Sequence, residues 1–115
     1  MRRPARAGHP LPEAHRAHSS PEKWTGWILA PEGHGAQWER VFRAGPEDRH
    51  TIWAEIAQAV QRAPVSAVRD RGHHGTVCSV AVTITVHMRR AVVMTAWHYG
   101  HTSSVPRLVT AYPIV

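Results

Sequence analysis

One cysteine, Cys78, stands in the 115 residues of this chain, so neither an intramolecular disulfide nor a cysteine-based zinc cluster can form. A reducing, cytoplasmic setting is the natural expectation. No apolar run reaches the ~18 residues that a membrane span needs. Arg2 and Arg3 stand at the start without the apolar stretch of ~7–15 residues that would make a signal peptide. Carboxylates are equally scarce in the second half, where Asp70 is the one acidic residue after Glu55. A two-metal nuclease or phosphatase holds its cations with several carboxylates, so the expectation is a site with neither metal nor cofactor.

What is present is positive charge. Fourteen Lys and Arg against eight Asp and Glu give a formal charge of +6, and ten His can add to it. An anionic partner such as RNA therefore suits the chain, with a protein held on the same surface as the alternative. Half of the excess sits in the first 23 residues, a stretch of Arg, Ala, His and Pro in which Leu11 is the only large aliphatic after Met1. Such a stretch offers little apolar surface against its conformational entropy. Residues 1–21 are accordingly expected to be a disordered basic tail, and residues 22–115 a single domain.

The run WTGWILA, Trp24 to Ala30, is short, contains Gly26 and ends at Pro31, which favours an extended segment over a helix. His34 falls in the loop that follows and reads as a solvated turn residue. Trp38, Val41 and Phe42 recur at i, i+3 and i+4, predicting a helix over Ala36 to Arg43. Pro46 with Glu47 and Asp48 opens a second, whose stripe of Ile52, Ile56 and Val60 runs on until Pro64 stops it. Trp24, Trp27, Trp38 and Trp53 all belong to apolar stripes and read as core anchors.

Beyond Pro64 the period changes to 2. Strands are predicted at Val65 to Asp70, Thr76 to Val86, Ala91 to Tyr99 and Arg107 to Tyr112, with a polar loop from Gly100 to Pro106. Short loops favour an antiparallel meander. The predicted fold is α+β: two N-terminal helices packed on one face of a four-stranded antiparallel sheet, the other face open. Thr83, Thr85, Thr95, Trp97, Thr110 and Tyr112 are assigned to the open face, and Val92, Met94 and Ala96 to the core. The third strand also admits the opposite parity, which would expose His98.

The WILAPEG segment, the helical stretch GAQWERVFRAGPED, the strand opening APVSAVRD and above all TAWHYGHTSSVPRLVTAYP resemble the uncharacterised family called domain of unknown function 6883, over about Trp24 to Pro113. Members often carry a Lys near Ala36, where this chain has Gln37. The final strand after a helix-helix-sheet body is also similar to the small metal-independent nucleases that include barnase, the colicin E5 and D domains, the EndoU domain and the RelE toxins. That similarity implies a toxin-like RNase with its site on the open face of the sheet.

Metal-free RNA cleavage needs a base near the 2′-hydroxyl, an acid for the leaving oxygen and a cation for the charge on phosphate. Arg107, at the entrance to the last strand, is the leading candidate for the cation. His98 and His101 are the acid–base candidates, and Tyr112 completes the catalytic set. Thr95 and Thr110 could bond a substrate, and Trp97 and Tyr99 could stack its bases. The adjacent pair His73 and His74, near Cys78, matches no four-ligand zinc spacing.

Overall fold

The computed structural model describes residues 4–114. Pro21, at the first helical position, opens a short helix α1 (Pro21–Lys23) that continues as a π turn over Trp24–Ile28. WTGWILA is therefore helical at its start and not extended. The four-residue spacing of Trp24 and Ile28 puts both in the core, a pull that outweighs Gly26. Helix α2 (Gly35–Phe42) buries Trp38 and Phe42, whose rings stack at 5.3 Å. A 3-10 turn at Pro46–Asp48 leads into α3 (Arg49–Ala59), which buries Ile52 and Ile56.

Strands β1 (Val65–Asp70), β2 (Thr76–Val86), β3 (Arg89–Tyr99) and β4 (Arg107–Pro113) pair antiparallel in the order β1-β2-β3-β4. The α+β meander is as predicted. Strand β2 turns Cys78, Val80, Val82, Ile84 and Val86 to the core, where the helices cover them. Trp38 on α2 donates its indole N–H to the Ala111 carbonyl of β4 at 3.1 Å. Trp53 on α3 meets Trp97 of β3 with ring centres 6.1 Å apart.

The parity of β3 is the reverse of that assigned from the sequence. Cross-strand partners share a face, and Cys78, Val80 and Val82 pair with Trp97, Thr95 and Val93. Val93, Thr95, Trp97 and Tyr99 are therefore buried, while Met94, Ala96 and His98 face the open side. The Thr95 hydroxyl tolerates burial because it donates to the Val80 carbonyl and accepts from the Trp97 indole, both at 2.7 Å.

Residues 4–20 run against both edges of the sheet. Gly8 N–H donates to the Val65 carbonyl and Val65 N–H to that of His9, each at 2.8 Å. Further along, the Pro12 carbonyl accepts the Tyr99 hydroxyl. At the far edge His18 N–H donates to Pro106 and Leu108 N–H to His18. Leu11 and Ala14 are buried on the way. The arm's backbone groups thus find partners at both edges of the sheet, and its few aliphatics reach the core.

The β2–β3 connection is a two-residue turn, His87 and Met88, with φ of 52° and 64°. Positive φ at both positions is what a tight hairpin with right-handed strand twist requires, and L side chains pay for it. Met88 is wholly exposed. Met88→Gly is expected to stabilise the protein by about 1 kcal/mol, read as a higher midpoint in a urea melt.

Asp48 joins this turn to the helices: one carboxylate oxygen accepts the Gly45 backbone N–H and the other accepts His87 Nε2–H, both at 2.9 Å. The Gly45 bond holds the carboxyl below its ordinary pKa; partial burial opposes it and His87 assists it. A depressed carboxylate contributes stability that is present above the unfolded value near 4 and lost as pH falls through the lower folded value. Asp48→Asn is therefore expected to cost about 1 kcal/mol at neutral pH and to flatten the loss of stability below about pH 4. Thermal melts across the acid range check both effects.

Candidate functional site

The open face of the sheet is read most simply as rows running across the strands. At one end Arg69, Val77, His98 and Arg107 are successive partners from β1 to β4. The next row, Ala67, Ser79, Ala96 and Thr110, is made of small side chains. Beyond it Ala81, Met94 and Tyr112 form a third. Rows on one face lie roughly 7 Å apart, so the small row floors a trough with Arg107 and His98 on one bank and Tyr112 on the other.

That arrangement depends on a bulge. The register between β3 and β4 shifts between Ala96 and Trp97, so that Trp97 pairs with Leu108 but Ala96 with Thr110. In a regular strand Arg107 would point away from Thr110 and Tyr112, being an odd number of residues from each. The extra residue, Val109, brings all three to the same side. Bulges re-aim side chains in this way beside functional sites.

His98 is held as well as aimed. Its Nε2–H donates to the His74 carbonyl at 2.7 Å, which fixes the tautomer and leaves Nδ1 as the nitrogen able to take a proton. The His74 carbonyl is in reach because the β1–β2 turn closes tightly over the end of β3. Gly75, at φ 97°, makes this possible: a Cβ there would lie 2.0 Å from the Tyr99 carbonyl oxygen and 3.0 Å from His98 Nε2. Among the described residues no carboxylate lies within ion-pair distance of Arg69 or Arg107, so the cationic row that borders the trough has no ion-pair partner.

A family model described as "Domain of unknown function (DUF6883)" matches residues 10–115 of the chain. The chain belongs to that family. The match reaches back beyond Trp24 into the N-terminal arm, in keeping with the arm's place against the sheet. No curated protein and no solved structure matches this DUF6883 chain. Among the described residues no helix is long and apolar enough to cross a membrane, and no group of three or more His, Cys, Asp or Glu is placed to hold a metal ion.

Of the residues singled out from this DUF6883 sequence, His98, Arg107, Thr110 and Tyr112 come together on the open face. Thr95, Trp97 and Tyr99 do not: each is fully buried on the helical side, so a substrate on the open face cannot touch them. His101 is exposed in the turn after Gly100, outside the strands that carry the rows.

Two residues were missed. Trp27, read as a core anchor, is 43% exposed and donates its indole N–H to Thr110 Oγ1 at 3.1 Å. His34, read as a solvated turn residue, packs its ring 4.9 Å from that of Tyr112 and 5.4 Å from that of Trp27. Together they wall the trough on the β4 side. No local pattern announces this, because Trp27 and Thr110 are 83 residues apart in sequence.

Proposed function

We propose that this DUF6883 domain is a metal-independent, RNase-like nuclease working on the open face of its sheet. The observation that carries the reading is the bulge at Val109, which sets Arg107 beside His98 and in line with Thr110 and Tyr112 over a floor of small side chains. His98 Nδ1 takes the proton of a 2′-hydroxyl, Arg107 balances the charge that grows on the phosphate oxygens, and Thr110 bonds the substrate. Trp27, half-exposed on the wall, offers the stacking surface that Trp97 and Tyr99, being buried, do not.

A second reading, a non-catalytic module that holds a protein on the same face, is favoured by one feature. Val92 is 39% exposed and with Val77, Ala81 and Met94 lines an aliphatic strip beside the arginines. Incubating the purified chain with bulk RNA in chelator separates the two. The nuclease reading expects cleavage, reduced about 10²–10³-fold by Arg107→Ala. Intact RNA with the unmutated protein would contradict it and leave the binding module as the better account.

A further inference from the structure

The helical side carries a cleft that the open face does not use. Three separate segments wall it: Ser19 at the end of the arm, Pro21 and Trp24 on α1 and the π turn that continues it, and Arg49, His50 and Trp53 at the start of α3. Spacings of three and four residues gather the last three on one side of that helix. The Trp24 and Trp53 indoles meet edge to face with ring centres 6.5 Å apart, so the cleft has aromatic walls.

Its polar groups are donors whose acceptors are missing. Of the five tryptophans, Trp24, Trp27, Trp38 and Trp97 each donate the indole N–H to a protein oxygen. Trp53 is half-buried, yet its N–H has no acceptor among the described residues, although buried indoles ordinarily find one. The Arg49 guanidinium is half-buried too, and among the described residues it has no hydrogen-bond, ion-pair or ring partner. Ser19 Oγ accepts from the Trp24 indole at 3.0 Å, which leaves its own O–H to donate. His50, exposed at the rim, is neutral or positive, and no Asp or Glu lines the cleft.

Size narrows what such a site can take. The cleft has a volume of about 170 Å³, and a cavity of about 150 Å³ holds one benzene ring. A single ring with one small substituent therefore fits, and a whole nucleotide is too large. One fixed guanidinium balances one negative charge, which favours a carboxylate over a phosphate monoester carrying about −2. We propose that this cleft binds a small aromatic carboxylate. The ring packs on the Trp24 and Trp53 indoles, the carboxylate receives the planar fork of Arg49, and Ser19 and the Trp53 N–H supply the remaining donors. The site is separate from the open face, so it stands whether or not the domain cleaves RNA.

The test follows the indole N–H signals of the full chain by NMR during titration with benzoate, benzyl alcohol and acetate. Benzoate is expected to move the Trp24 and Trp53 signals to saturation and to leave those of Trp27 and Trp38 in place. Benzyl alcohol keeps the ring without the charge and should bind the same cleft about 10–100-fold more weakly, with acetate weaker still. Arg49→Leu should lower the affinity for benzoate to that for benzyl alcohol while leaving benzyl alcohol unchanged, a pattern that loss of folded protein does not imitate. Equal binding of acetate and benzoate, an unaltered benzoate affinity in Arg49→Leu, shifts at Trp27 instead, or no saturable shift would overturn the proposal. Tighter binding of N-acetylphenylalanine than of benzoate would overturn the free acid in favour of the C-terminus of another protein.

Discussion

Trp97→Ala should cost roughly 3–5 kcal/mol of folding stability, a large part of the ~5–15 kcal/mol that a domain of this kind possesses. The indole is fully buried, packs against Trp53 and donates to the Thr95 hydroxyl. Truncation leaves a cavity where the helices meet the sheet, and it removes one of the two bonds that make Thr95 acceptable there. Denaturant melts would show the midpoint falling with little change in slope. The opposite parity of β3, with Trp97 on the open face, would make the same substitution nearly neutral for stability.

The next residue along the chain should behave in the opposite way. His98→Ala is expected to lower RNA cleavage about 10²–10⁴-fold while costing about 1 kcal/mol of stability, the worth of one partly exposed hydrogen bond to the His74 carbonyl. Rates in chelator and melts on the same preparation check both. Neighbouring strand residues point to opposite faces, so a fold-breaking substitution at 97 and an activity-breaking one at 98 would locate the site on the open side of β3.

The order of elements was legible because each carries its own local signal. The alternation in β2 and the prolines that open and stop the helices placed most boundaries within two residues. The face of β3 was legible too, by a different route from composition. With Val80 and Val82 fixed in the core, any connection of even length between β2 and β3 pairs even-numbered residues with odd-numbered ones, which sends Thr95 and Trp97 inward. Judged by residue type alone, a threonine suggests a surface; its burial is explained by the two bonds its hydroxyl makes, donating to the Val80 carbonyl and accepting from the Trp97 indole. The bulge at Val109 had no such signal, since RLVTAYP reads equally well as a regular strand. The arm's contacts were no more legible: they are backbone hydrogen bonds to Val65 of β1 and Leu108 of β4, which composition does not record.

The most direct measurement of the central claim is a methyl NMR titration of the full chain with a 2′-deoxy oligonucleotide, which lacks the nucleophile and cannot be cut. Methyl signals of Met94, Ala96 and Thr110, on the open face, should shift with saturation, and those of Val80, Val93 and Leu108, on the helical side, should stay in place. Shifts confined to the cleft between Trp24, Arg49 and Trp53 on the helical side, or no shifts at all, would contradict it.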